Sequence, residues 1–238
     1  MKNKIELYKE SLDIRRHESG ARWYAPVGSY DWKPSVTTII GETLNKGKGF
    51  EQWLGNHPSY KIACEERDKA ADRGTLVHDL AEKYMHGESV ESEDEEICKH
   101  LMSFEKFWKE NEVQMIDTEL FMWHKDVPWA GTCDIIAKMN GKYAIIDIKT
   151  GGHYKSHEIQ LNMYAELLVG ILAGLYTKGR WIREPNYQLK KFKFNLDIAI
   201  SVDNVWRFLN GGNPKPKMKA KLKTKFEIRS SKDEYELL

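Results

Sequence analysis

The segment from Gly131 to Gly152, GTCDIIAKMNGKYAIIDIKTGG, constrains this chain more than any other. At its centre is Asn140-Gly141, and Asn-Gly between two apolar runs is the strongest short-range signal for a two-residue hairpin turn. The register that such a turn imposes pairs Met139 with Lys142 and brings Asp134 opposite Asp147. Without a bulge the two carboxylates stand roughly 5 Å apart at Cβ, a destabilising like-charge pair. The strands around them are otherwise Ile, Ala and Tyr, so stability alone does not account for the acids. A bound cation removes the conflict. Lys149 lies two residues beyond Asp147, and a strand directs both side chains to one face. The expectation is a metal site with an ammonium beside it. The plainer alternative is an exposed hairpin with an ordinary Asp147–Lys149 ion pair, because D-x-K also arises by chance.

A chain of 238 residues has room for one domain with a sizeable core. Charged residues make up 31% of it, yet the formal net charge is +1, so overall charge announces no partner. The distribution says more: Glu88 to Glu96 is acidic, while Lys215 to Lys225 carries Lys at every second position. The absence of a secretory signal or long apolar run leads to an expectation of a soluble, cytoplasmic protein with no membrane partner. Cys64, Cys98 and Cys133 are widely spaced and include no C-x-x-C pair, which argues against a zinc ribbon, a disulfide framework or a four-thiolate iron–sulfur cluster.

Residues 22–32 read as a small aromatic hairpin around Pro26-Val27-Gly28. Ser35 is either the N-cap of a short helix or the start of a β-branched strand. A short helix is expected over Phe50 to Asn56. Helices are predicted over 60–86 and 95–110, strands over 113–124, 129–139 and 142–149, and a helix over 157–176. A strand near 190–201, a short helix at 203–210 and a half-exposed strand at 215–229 complete the reading. The arrangement is a single domain over 1–238, with 1–58 as an N-terminal appendage and 215–238 as a basic C-terminal strand.

The carboxylates suit hard divalent ions, Mg²⁺ or Mn²⁺, one or two of them, and leave positions for water and a substrate oxygen. On the 60–86 helix, Val77, Leu80, Ala81 and Tyr84 form the apolar stripe, and Gly74, His78 and Glu82 form a second stripe. His78 could complete an oxygen-rich metal site with Glu82 orienting it, and Gly74 lets the helix approach a neighbour closely. Read from the helix alone, His78 more simply hydrogen-bonds at the helix edge. Gln160 and Tyr164 share a helix face after the proposed site. They could reach a phosphate or base, although spacing alone makes Tyr164 a core-edge aromatic and Gln160 solvated. The alternate lysines fit phosphate contacts or a guarded edge strand equally well.

Together, His78, Asp134, Asp147-Ile148-Lys149 and Gln160-x-x-x-Tyr164 resemble the RecB-type branch of the PD-(D/E)XK nucleases. Arg73 to His78 fits its G-x-x-x-H helix and Gly131 to Asp134 its G-x-x-D strand. Pro34-Ser35-Val36-Thr37-Thr38-Ile39-Ile40 with Trp53 is similar to phage exonucleases and to the mitochondrial genome maintenance exonuclease. The resemblance covers about residues 22 to 170. It implies an α/β fold of restriction-endonuclease-like core, a mixed central β-sheet flanked by α-helices. It implies a metal-dependent DNA exonuclease of phage or bacterial DNA processing, acting on single-stranded or duplex ends. Asp134, Asp147 and His78 would hold the metal with the Ile148 carbonyl, Lys149 would aid the nucleophile, and Glu119 matches a further acidic position. DNA contacts are expected from Gln160, Tyr164, Arg73, Ser35 and Trp32, the last by base stacking, although a small hydrophobic subcore accounts for Trp32 at least as well. The chain carries no G-x-x-x-x-G-K-[ST] phosphate loop, so a helicase or recombination partner would be a separate protein. The competing readings are a nucleic-acid-binding protein of this fold without activity, and a structure-selective endonuclease.

Overall fold

The computed structural model describes residues 14–18, 21–45, 47–167, 171–216 and 228–229. Its framework is a mixed five-stranded sheet with helices on both faces. The order is β4 (Val113–Trp123), β5 (Ala130–Met139), β6 (Lys142–Lys149), β7 (Ile171–Thr177) and β8 (Tyr187–Phe192). The Asn140-Gly141 turn joins β5 to β6 with φ of 50° and 76°, the two positive values that a type I′ turn requires. Pairing then runs from Met139↔Lys142 to Ile135↔Ile146, in the register the sequence predicts. From β6 the chain crosses through helix α5 (Lys155–Leu167) to β7, which lies parallel to β6, and β8 returns antiparallel.

Alternation along β6 separates the two faces. Ile146 and Ile148 pack with Ile135, Ala137, Ala173 and Leu175 under the aromatic stripe of α4 (Glu95–Glu110), Phe104 and Phe107. Asp94 starts that helix by accepting from the Glu96 and Ile97 amides. Ala81 of α3 (Tyr60–Met85) joins the same core, but in the first half of α3 only Ala63 is buried. On the other face Ile145 and Leu172 meet Leu161 of α5 and Trp206 of α6 (Leu196–Leu209). Ser35 is an N-cap: its Oγ accepts from the Thr38 amide and opens α1 (Val36–Thr43) despite the β-branched run. The short helix α2 covers Lys48–Gly55.

The predicted N-terminal hairpin is present as β2 (Arg22–Pro26) and β3 (Lys33–Pro34), and these join β1 (Ile14–Glu18) and β9 (Ile228–Arg229) in a four-stranded sheet. Trp23, Ala25 and Trp32 of this segment are buried in the same core as α5 and α6. Trp32 is only 7% exposed, so the expectation that its ring lies open for a DNA base is corrected: the indole is spent on packing. The alternate lysines after Lys215 fall largely on 217–227, outside the described residues.

The helix predicted over 157–176 is two elements. It ends at Leu167, and Ile171–Thr177 is a strand. A strand buried on both faces reads as a continuous apolar run, which periodicity cannot separate from a buried helix. The strand predicted near 190–201 also ends early, at Phe192. Asn195 accepts from the Ile198 amide and caps α6 in its place.

Because Trp32 is part of the shared core, Trp32→Ala should cost about 3–5 kcal/mol in urea denaturation. Wild-type stability in that variant would contradict the placement.

Candidate active site

The site forms where β5 and β6 stop pairing. The ladder ends at Ile135↔Ile146, one step before Asp134 would meet Asp147. Backbone pairing therefore does not extend to the two acids. Asp134 Oδ2 instead accepts the Ile148 amide at 2.7 Å, so the carboxylate takes the place of a strand partner. On the other side of Asp134 the β4–β5 ladder is interrupted too. Thr118 pairs with Ile135 and Leu120 with Cys133, while Glu119 between them has φ of 46°. Left-handed backbone in a non-glycine residue costs of order 1–3 kcal/mol and recurs at functional positions.

Among the described residues, His78, Glu119 and Asp134 bring ligand atoms within 4.8 Å of one another. His78 comes from α3. Its Nε2 donates to the Ile148 carbonyl at 3.0 Å, because a carbonyl can only accept. In the neutral ring that tautomer leaves the Nδ1 lone pair aimed at Asp134 Oδ2, 3.5 Å away. Two electron-pair donors facing each other in this way are relieved by a cation between them. Adjacent ligands on an octahedral ion with bonds of about 2.1 Å stand about 3 Å apart, close to this separation. Glu82, expected to orient His78, accepts from Thr118 Oγ1 at 3.1 Å instead. Ile148 and Asp134 orient the imidazole, and Thr118 is a site neighbour that no sequence spacing indicated.

Asp147 is 1% exposed. Gln160 Nε2 donates to its Oδ1 at 3.0 Å. The Lys149 ammonium stands 2.5 Å from Oδ2, but that oxygen receives no well-aligned hydrogen bond. Burial pushes the Asp147 carboxyl above its ordinary range; Lys149 opposes this and the charge of Asp134 adds to it. Burial alone would lower the Lys149 pKa, but Asp147 and Asp134 outweigh it and hold the ammonium above its usual value. Lys149 also donates to Gln160 Oε1 at 3.2 Å, so one amide grips both members of the pair. Three carboxylates thus converge against one ammonium and a histidine, with one buried oxygen still lacking an aligned donor. This donor set, hard oxygens and one imidazole, fits a divalent cation.

The residues expected to touch DNA are engaged within the protein. Gln160 is 9% exposed and also donates to the buried Tyr164 hydroxyl at 3.2 Å. Tyr164 explains the glycine of the G-x-x-D strand, since a Cβ on Gly131 would lie 2.7 Å from its ring. Gly74 similarly faces Thr150, just past β6, and Ser35 is a buried cap. Arg73 pairs with Glu96 of α4 at 2.9 Å, and Arg180 approaches the same carboxylate.

Sequence reasoning missed the β7 side of the site. Tyr176 stands beside Lys149 in the parallel register, and its hydroxyl is 3.0 Å from His157 Nδ1. Burial, then the Lys149 charge, lowers the His157 pKa to about 4. With β7 taken as helix, neither contact could be foreseen.

No protein-family model matches this chain, and no curated protein matches it. Among solved structures, an alkaline exonuclease (LHK-Exo) from Laribacter hongkongensis aligns with a TM-score of 0.44 at 9% identity, over 76% of this chain and 87% of that one. A structure described as SSO0001 aligns with a TM-score of 0.29 at 16% identity, over 59% of this chain and 89% of that one. No helix among the described residues is long and apolar enough to cross a membrane.

Two outcomes follow from the packing. Gly131→Ala should drive Cβ into the Tyr164 ring and lower stability by about 1–3 kcal/mol in urea denaturation; an unchanged midpoint would refute the contact. Between pH 6.5 and about 4 the unfolded chain takes up a proton that folded His157 refuses. The stability present above this window should therefore fall as pH drops through it. His157→Gln should show a shallower fall in Tm than the wild type over the same range.

Proposed function

We propose that this chain is a metal-dependent deoxyribonuclease that hydrolyses phosphodiester bonds from DNA ends, with Mg²⁺ or Mn²⁺ as its ion. The observation that carries this is the buried Asp147–Lys149 pair, clamped by Gln160, beside the His78–Glu119–Asp134 cluster. A fold has no stability reason to assemble three acids, two of them on broken ladders, around one buried lysine. The resemblance to the RecB-type PD-(D/E)XK nucleases assigns the same residues to hydrolysis.

His78, Glu119 and Asp134 would hold the ion, and Asp147, whose Oδ2 faces the Lys149 ammonium, would share its carboxylate charge with it. A divalent ion bound there acidifies water and polarises a phosphoryl oxygen. Lys149, protonated and held by Asp147, stabilises negative charge as it grows on the phosphate under attack. Being protonated, it orients the nucleophile by donating and does not act as a base. Gln160 fixes the rotamers of both Asp147 and Lys149, and Tyr164 fixes Gln160. In this reading Gln160 and Tyr164 serve DNA through the residues they position. The resemblance implies that water attacks phosphorus opposite the 3′-oxygen, which leaves as the 3′-hydroxyl, with the phosphate retained on the 5′ end.

The test uses end-labelled linear single strands, end-labelled duplexes and circular single strands, each with Mg²⁺, Mn²⁺ or EDTA. Linear substrates should be degraded only with metal, and circles should resist, since a circle has no end to enter. Lys149→Ala and Asp147→Asn should each lose about 10²-fold or more in rate. Cleavage that persists in either variant, or in EDTA, would sink the assignment; cleaved circles would turn it into an endonuclease.

A further inference from the structure

The β7–β8 side of the site carries a group of rings that the chemistry above does not use. After β6 the chain passes Gly151-Gly152 and places His153 and Tyr154 immediately before α5, whose first turn holds His157. The His153 ring stacks on Phe192 of β8 at 6.0 Å and 12°, with Tyr176 edge-on at 5.5 Å. Tyr154 meets His157 edge-on at 5.5 Å. His157 leans on Tyr176, the strand neighbour of Lys149. The rings thus form one continuous ledge leading away from the buried ion pair.

Its inner end is fixed and its outer end is open. Tyr154 is 60% exposed, a large ring left in water at the rim of a buried charged site. The Tyr154 hydroxyl lies 3.6 Å, and its ring 3.7 Å, from where a Cβ on Gly152 would stand. His153 Nε2 is buried and has no hydrogen-bond partner, although a buried polar atom of this kind ordinarily finds one. Lys155 is exposed beside Tyr154 in a loose solvent-facing pair with Glu158 at 3.5 Å, and Lys190 lies near enough to His153 to act on its charge. An open aromatic ring backed by packed rings and flanked by cations is the chemistry that holds an unpaired nucleotide.

We propose that this ledge is the subsite for an unpaired nucleotide next to the phosphate under attack, with the base stacked on the exposed Tyr154 ring and its own phosphate between Lys155 and Lys190. The inference rests on the nuclease reading and deepens it, because a base held there must be out of a duplex stack. A duplex end would have to fray before its terminal nucleotide could enter, so single strands should bind and react in preference.

The experiment measures anisotropy of labelled single-stranded and blunt duplex oligonucleotides in EDTA, where no cleavage occurs, and cleavage of the same oligonucleotides with Mg²⁺ or Mn²⁺. Tyr154→Ala should weaken single-strand binding about 5- to 100-fold and leave duplex binding almost unchanged. Tyr154→Phe should bind like the wild type, because stacking needs the ring and not the hydroxyl. Tyr30→Ala, which removes an exposed ring on the N-terminal hairpin, should have no effect. If the wild type cuts DNA but Tyr154→Ala binds and cuts as well as it does, the ledge is overturned and the nuclease reading stands. If single-strand binding depends on Tyr154 but the wild type never cuts with either metal, the ledge is supported and the hydrolytic reading falls.

Discussion

A carboxylate removed from water in the middle of a sheet is the constraint that organises this molecule. Asp147 is almost fully buried, and an isolated charge in that position would neutralise or unfold its surroundings. Lys149 supplies a counter-charge from the same strand, and Gln160 supplies a donor from a separate helix. Gln160 arrives only because α5 lies across that face of the sheet. That placement in turn requires Tyr164 to fit against a strand position with no side chain, which is Gly131. Removing one partner of a buried pair usually costs more than the pair itself contributes, because the remaining charge has no compensation. The local geometry is therefore held as a unit.

The neighbouring strands show the same preference for site geometry over regular pairing. Asp134 uses a carboxylate oxygen where an ordinary ladder would use a carbonyl, and Glu119 adopts left-handed backbone beside it. Both departures lie on the side facing His78, and both move acids toward a shared point. A sheet selected only for stability would keep its pairing there and place apolar side chains in these positions. The cost is balanced elsewhere by two apolar cores, one under α4 and one beneath α5 and α6.

Much of this was legible along the chain because the signals are local. The Asn140-Gly141 turn and the helix over 95–110 depend on residues a few positions apart, and each appears where the sequence puts it. Ser35 shows a local signal that settles only in context: the hydroxyl cap prevails over the β-branched residues that follow it. Strand β7 was hidden, since Ile171 to Thr177 sits in the sheet interior and does not show the alternation of a half-exposed strand. Losing β7 also hid Tyr176 and the surroundings of His157. The role of Trp32 stayed open between stacking and packing for a different reason. An aromatic near a site looks the same in sequence whether it faces solvent or a core.

By itself the sequence determined which chemical groups meet at the sheet centre, because a two-residue turn fixes register and register places Asp134 near Asp147-x-Lys149. It also determined the α/β class, through elements whose periods and caps are encoded locally. The tertiary structure decided how those groups are used. Only packing could turn Asp134 onto the Ile148 amide, give His78 to a backbone carbonyl instead of Glu82, and draw Glu119 into the cluster. The reason is that hydrogen-bond partners across 14 or 70 residues are chosen by which surfaces meet, and no spacing along the chain records that choice.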